Sequence, residues 1–107
     1  MPHEIKDVEE FEKLTKGKRC VVDFYASWCG PCKIIAPKIS ILEQKFPNLV
    51  FLKVDVDKVP DLSEQYHIKY MPTFVFLVED GREAVRLRVT GASIDAILKS
   101  VSELNGK

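Results

Sequence analysis

Two cysteines three positions apart, Cys29 and Cys32 in the run Trp28-Cys29-Gly30-Pro31-Cys32, are the residues of this sequence best suited to chemistry. At that spacing their sulfurs can join in a small ring and part again, so the pair can carry two electrons as dithiol or disulfide. Location matters more than spacing. The run sits where an apolar, β-rich segment, Cys20 to Ala26, gives way to apolar residues at helical intervals, Ile35, Ile39, Leu42 and Phe46. Cys29 then stands at a helix N-terminus, where unpaired N–H groups and the helix dipole stabilise a thiolate. Cys32 is carried one turn into the helix and is expected to be the less exposed of the two. Pro31 suits the first turn, which needs no bond from its nitrogen. The other common use of paired cysteines is zinc, which takes four ligands. The remaining candidates, Cys20, His3 and His67, are isolated in the sequence, and no second Cys-x-x-Cys accompanies them. Cys20 itself reads most simply as a small buried strand residue, with a regulatory thiol as the alternative.

The elements that must position the pair are legible from periodicity. Val8, Phe11 and Leu14 mark a first helix, opened by Asp7 with Glu10 at capping-box spacing and closed by Gly17. Cys20 to Ala26 is apolar enough to be a central strand covered on both faces. The next helix runs to Pro47 and carries Pro37 inside it, a kink position. Leu49 to Val56 reads as a second buried strand, and Val59, Leu62 and Tyr66 as a short helix. Thr73 to Val78 and Glu83 to Val89 flank Glu79-Asp80-Gly81-Arg82, an Asp-Gly hairpin signal. In the second of these strands Arg86 and Arg88 alternate with Val85, Leu87 and Val89, which predicts one wet face. Ser93 can cap a last helix whose Ile94, Ile97, Leu98, Val101 and Leu104 face the core. With a short first strand at His3 to Lys6 the order is β-α-β-α-β-α-β-β-α. Such alternation implies a parallel sheet with helices on both sides, extended by an antiparallel hairpin.

Composition narrows the function classes. The 107 residues are 46% hydrophobic and 30% charged, which fits one globular domain over 1–107 and excludes a disordered chain or coiled coil. Surface scaling for this size predicts roughly 6,000 Å² exposed when folded. Sixteen basic residues balance sixteen acidic ones, so there is no electrostatic case for nucleic acid or an anionic membrane. No apolar run approaches the ~18 residues of a membrane span. Met1 to Glu10 is charged where a secretory leader would be apolar, and three cysteines are too few for a secreted scaffold, so the expected location is cytoplasmic.

Asp23 is the next informative residue. Strand alternation sets it on the face of Val21 and Tyr25, with little polar company, and burial there raises a carboxyl pKa. A structural acid satisfied by one hydrogen bond is the plainer reading.

The run Val21-Val22-Asp23-Phe24-Tyr25-Ala26-Ser27-Trp28-Cys29-Gly30-Pro31-Cys32-Lys33 closely resembles the active-site strand and helix of thioredoxins. The likeness spans essentially the whole chain: Pro37, Lys53-Val54-Asp55-Val56-Asp57, Met71-Pro72-Thr73, Gly81 and Gly91-Ala92 follow in order. The resemblance implies the thioredoxin fold, an α/β architecture with a central mixed five-stranded sheet flanked by four helices. It also implies a protein-disulfide reductase in which Cys29 attacks a target disulfide and Cys32 resolves the adduct. Asp23 would be the base for Cys32 and Lys53 would tune Asp23; a solvated strand-end lysine is the alternative for Lys53. Pro72 would be cis and turn the Met71 backbone outward toward an extended substrate. With Trp28, Gly30, Pro31, Gly91 and Ala92 it would shape a shallow apolar groove, unless Trp28 is merely core. The Gly30-Pro31 pair goes with reducing members of the superfamily rather than with secretory isomerases or oxidases. The implied partners are thioredoxin reductase as electron donor and disulfide-containing proteins such as peroxiredoxins and ribonucleotide reductase. The chain would act as a monomer, with a redox-active disulfide, no bound cofactor and no metal. A partner subunit with incidental cysteines is the competing class.

Lowering a thiol pKa from about 8.5 to about 7 raises its thiolate fraction at pH 7 about sixteenfold, but reduced nucleophilicity returns about fivefold of that. The net gain is about threefold. Placement of Cys32 beside the mixed disulfide must therefore supply most of the rate.

Overall fold

A computed structural model describes residues 1–106. Strand β1 (His3–Glu4) is followed by helix α1 (Val8–Thr15), β2 (Cys20–Tyr25), α2 (Gly30–Lys45), β3 (Val50–Asp55), α3 (Pro60–Gln65), β4 (Thr73–Leu77), a single 3-10 turn (Val85–Leu87), β5 (Val89–Thr90) and α4 (Ile94–Asn105). The strands form one mixed sheet in the order β1-β3-β2-β4-β5. β1, β3 and β2 run parallel, while β4 is antiparallel to β2 and β5 to β4. This is the thioredoxin fold, with five strands and four helices among the described residues, and its exposed area of 6161 Å² matches the size scaling.

Strand alternation divides the apolar residues between two layers. Val21, Phe51, Phe74 and Phe76 pack with Ile35 and Ile39 of α2 and Ile97 and Val101 of α4. Val22, Phe24, Leu52, Val54 and Val75 pack on the other face with Phe11 of α1 and Leu62 of α3. Because β2 is central, both of its faces are covered, which accounts for its unbroken apolar run. The helix starts follow local sequence. The Asp7 carboxylate accepts from Glu10 N–H at 2.8 Å, and Ser93 Oγ from Ala96 N–H at 3.3 Å. Glu10 reaches back to Lys6 N–H rather than to Asp7, so the capping box is shifted by one residue.

Two expectations fail. Glu83 to Val89 is not a strand: the hairpin begins with the Leu77–Glu83 bridge, then coils into the 3-10 turn before β5. The cause is lateral. Arg88 donates twice to Glu83, at 2.8 Å each, and once to Tyr66 O at 2.9 Å, while Ser100 Oγ donates to Leu87 O at 2.7 Å. Residues five apart would be about 17 Å apart in an extended strand, too far for one Arg–Glu pair. The alternation of Arg86 and Arg88 with Val85 and Leu87 is thus the pattern of a folded-back turn, with Leu87 buried and Val85 exposed. Leu98 also faces outward, since Ile97, Val101 and Leu104 already occupy the core stripe of α4.

Candidate active site

Four chain segments meet at one end of the sheet. β2 and β3 run toward it, β4 starts from it, and β5 ends there, because Phe24 pairs with Thr73 and Thr73 with Thr90. The loops that collect there carry Cys29, Asp57, Met71-Pro72 and Gly91.

Cys29 is the N-cap of α2, and its own N–H donates to Ala26 O at 3.1 Å. Cys32 N–H donates to Cys29 Sγ at 3.2 Å, the bond that favours negative charge on that sulfur. Cys29 and Cys32 form a disulfide with their Cα atoms 5.3 Å apart, within the range a relaxed bridge accepts. The expected contrast in exposure is absent: the residues are 5% and 6% exposed. The disulfide draws both sulfurs together against Ala26, and Tyr25, Val56 and Met71 pack around them. The Met71–Pro72 peptide is cis, and the Met71 carbonyl oxygen lies 3.7 Å from Cys29 Sγ. Pro72 is buried, and its carbonyl accepts from Gly91 N–H at 2.8 Å, which brings Gly91-Ala92 beside the proline loop. Gly91 has φ +103°, a conformation that favours glycine.

Trp28 is 66% exposed, which removes the core alternative. Its indole N–H donates to Asp57 Oδ2 at 2.9 Å, and Asp57 N–H donates to Asp55 Oδ1 at 2.9 Å. Sequence reasoning missed this anchor. Asp57 offers no local signal of it, since the two residues are 29 positions apart and meet only because β2 and β3 end together.

Asp23 is 9% exposed, and its Oδ1 has no hydrogen-bond partner among the described residues. Burial pushes the carboxyl pKa up from 3.8 to about 7, against the opposing charge of Lys53. No described residue supplies Oδ1 with the hydrogen bond that the plainer reading expects. Asp23 and Cys32 line the same cleft of about 260 Å³, with Tyr25, Ala26 and Lys53 among its other walls. Lys53 stands opposite Asp23 in the β2–β3 register, so it is not a free strand-end lysine.

The zinc candidates are scattered. His3 bonds Glu10 at 3.1 Å, His67 lies beyond α3, and Cys20 is buried at the far end of β2. Among the described residues no group of three or more His, Cys, Asp or Glu is placed to hold a metal. Burial pushes the Cys20 thiol pKa up to about 12, which favours its protonated form.

A disulfide at the start of a helix, beside the Met71–Pro72 loop and sharing a cleft with a buried carboxyl, is the arrangement of a dithiol–disulfide oxidoreductase. The Thioredoxin family model matches residues 3–103. A thioredoxin H-type of Fagopyrum esculentum is 46% identical over 95 residues, covering 88% of this chain and 79% of that one. The oxidised mitochondrial thioredoxin 3 of Saccharomyces cerevisiae superposes with a TM-score of 0.87 at 36% identity, covering 95% of this chain and 94% of that one. A yeast structure concerned with thiol resolution in mitochondrial 1-Cys peroxiredoxin via the glutathione/thioredoxin systems gives 0.86 at 35%, with coverage of 95% and 94%. The chain belongs to the thioredoxin family. It is a protein-disulfide oxidoreductase that reduces disulfides in target proteins by dithiol–disulfide exchange through Cys29 and Cys32, and its redox group is that disulfide. Among the described residues no helix is long and apolar enough to cross a membrane.

Proposed function

We propose that residues 1–107 act as one thioredoxin domain in which Cys29 is the attacking sulfur and Cys32 the resolving one. The observation that carries this order is the polarity of the pair: Cys29 receives the Cys32 N–H at the helix N-terminus, whereas Cys32 shares its cleft with Asp23. The Cys29 thiolate attacks one sulfur of a target disulfide, a Cys29–target bond forms, and the other target sulfur leaves as a thiolate. Cys32 then passes its proton to the Asp23 carboxylate, through water in the cleft, and attacks Cys29 Sγ. The second target sulfur leaves, Cys29–Cys32 closes, and two electrons have passed to the target. A pKa of about 7 suits Asp23 to this transfer at neutral pH. Lys53, opposite Asp23, tunes that acid.

The substrate surface is the groove beside the disulfide. Trp28, Gly30 and Pro31 form one side, and Met71, Pro72, Gly91 and Ala92 the other. The exposed indole and the proline loop support an extended polypeptide bound through its backbone. The electron donor is a flavin- and NADPH-dependent thioredoxin reductase. Targets are disulfide-bearing proteins of the peroxiredoxin and ribonucleotide reductase kind, a reading supported by the yeast structure concerned with a peroxiredoxin. The protein works as a monomer without bound cofactor or metal, and neither nucleic acid nor a membrane takes part. The reducing Gly30-Pro31 pair supports a reducing compartment, the cytoplasm.

Insulin reduction driven by NADPH and a thioredoxin reductase tests the reading, and NADPH consumption must depend on the protein. In Cys32→Ser, Cys29 still attacks but nothing resolves the adduct. Incubation with a disulfide target is expected to yield a covalent complex that dithiothreitol releases and that mass spectrometry maps to Cys29. Recovery of no such adduct from folded protein overturns the order of attack.

A further inference from the structure

Glu4, Lys53 and Asp23 stand in one row across three neighbouring strands. Glu4 of β1 is opposite Lys53 of β3, and Lys53 is opposite Asp23 of β2. Residues opposite each other on adjacent strands project to the same face, so one ammonium lies between two carboxyls. Glu4 sits at the sheet edge with its side chain 37% exposed, and Asp23 lies buried at the centre. The ammonium sides with the edge. Lys53 Nζ is 3.9 Å from Glu4 Oε1 and 5.5 Å from the centroid of the Tyr25 ring. The Tyr25 hydroxyl donates to the other Glu4 oxygen at 2.8 Å, which holds the glutamate in place. Among the described residues no basic group comes within 4.0 Å of Asp23.

We propose that Glu4 is a positioning residue for disulfide exchange: it holds the Lys53 ammonium at the edge of the sheet, and so keeps Asp23 out of an ion pair and available to Cys32. The inference rests on Asp23 serving as the proton acceptor for Cys32. A cation brought into contact with a carboxylate favours its charged form and makes it a weaker base. Glu4 is a competitor for that cation, and unlike Asp23 it keeps its solvation. The other groups around Asp23 do not substitute for it. Phe74, its partner on β4, is apolar, and the buried residues of α4 carry no charge. Cys32 and Lys33 of α2 line the cleft, Tyr25 is tied to Glu4, and Asp55 lies two register positions further on, opposite Tyr25.

The test reads the Asp23 carboxyl directly, by carbon-13 NMR titration of the full chain in its oxidised form. Glu4→Gln keeps an acceptor for Tyr25 but drops the charge, so Lys53 is freed toward Asp23 and the titration midpoint is expected to fall by about one pH unit. Loss of the Glu4 charge could act on Asp23 without any relay, and a second background separates the two. In Lys53→Met, adding Glu4→Gln is expected to leave the midpoint where Lys53→Met alone put it. An unmoved midpoint in Glu4→Gln overturns the proposal, and so does an equal fall in both backgrounds. The pH profile of insulin reduction by Glu4→Gln is expected to shift with the midpoint. A midpoint that moves while the profile stays put refutes Asp23 as the base, and with it the role of Glu4 in exchange, yet leaves the electrostatic row standing.

Discussion

Cys29→Ser is expected to lower insulin reduction at pH 7 by at least about 10³-fold, because removal of a covalent nucleophile abolishes the intermediate itself. A serine hydroxyl cannot form the bond to a target sulfur, and the helix terminus that stabilises a thiolate does not ionise an alcohol. Cys32 is no substitute. It lies inside the first turn of α2, beyond the N-cap sulfur that accepts its N–H, and lines the Asp23 cleft. The loss is not one of folding. A ring closed over three positions constrains the unfolded chain by only about 2 kcal/mol on loop-entropy grounds, and the two apolar layers on either side of the sheet do not depend on it. Circular dichroism of the variant should match the parent while NADPH consumption falls to background. A rate within tenfold of the parent would show that Cys29 is not the attacking sulfur.

Asp23→Asn carries the second large effect, and its sign changes the usual expectation for a buried charge. The folded protein keeps the Asp23 proton up to about pH 7, whereas the ordinary value for this side chain is 3.8. Between those values the folded state binds one proton more than the unfolded chain, so stability falls as pH rises and levels off above the folded pKa. At about 1.4 kcal/mol per pH unit the deficit reaches about 4 kcal/mol by pH 8, and it is absent below pH 4. Asparagine does not titrate. The variant is expected to melt within a few degrees of the parent at pH 4 but more than about 10 °C higher at pH 8. Its reduction rate at pH 7 is expected to drop at least about tenfold, the loss of a general base. Calorimetry across that pH range decides the first point, and parallel stability curves for the two proteins would contradict it. The outcome expected is a more stable, slower protein, which identifies Asp23 as a group kept for chemistry at a cost to the fold.

The redox pair and its setting were legible because they depend on neighbours in the chain. The apolar run of β2, the helical spacing of Ile35, Ile39 and Leu42, and the cap residues Asp7 and Ser93 all act within one or two turns, and the structure has each of them. The low polarity around Asp23 was readable for the same reason, from alternation along a single strand. The segment Glu83 to Val89 was misread because its alternation satisfies a strand equally well, and the turn is selected by side-chain contacts, Arg88 with Glu83 and Tyr66 and Ser100 with Leu87.

Spacing along this chain was enough to locate Cys29 and Cys32 at a strand-to-helix junction and to set the βαβαβαββα order, because local periodicity determines both. The strand order β1-β3-β2-β4-β5 was a tertiary decision, and with it came the distant contacts around the site. Asp57 reaches Trp28 and Glu4 reaches Lys53 only through lateral strand register, and the Met71 carbonyl reaches Cys29 because β4 starts where β2 ends. Such contacts join residues 29 to 49 positions apart, distances at which hydrophobic periodicity carries no information.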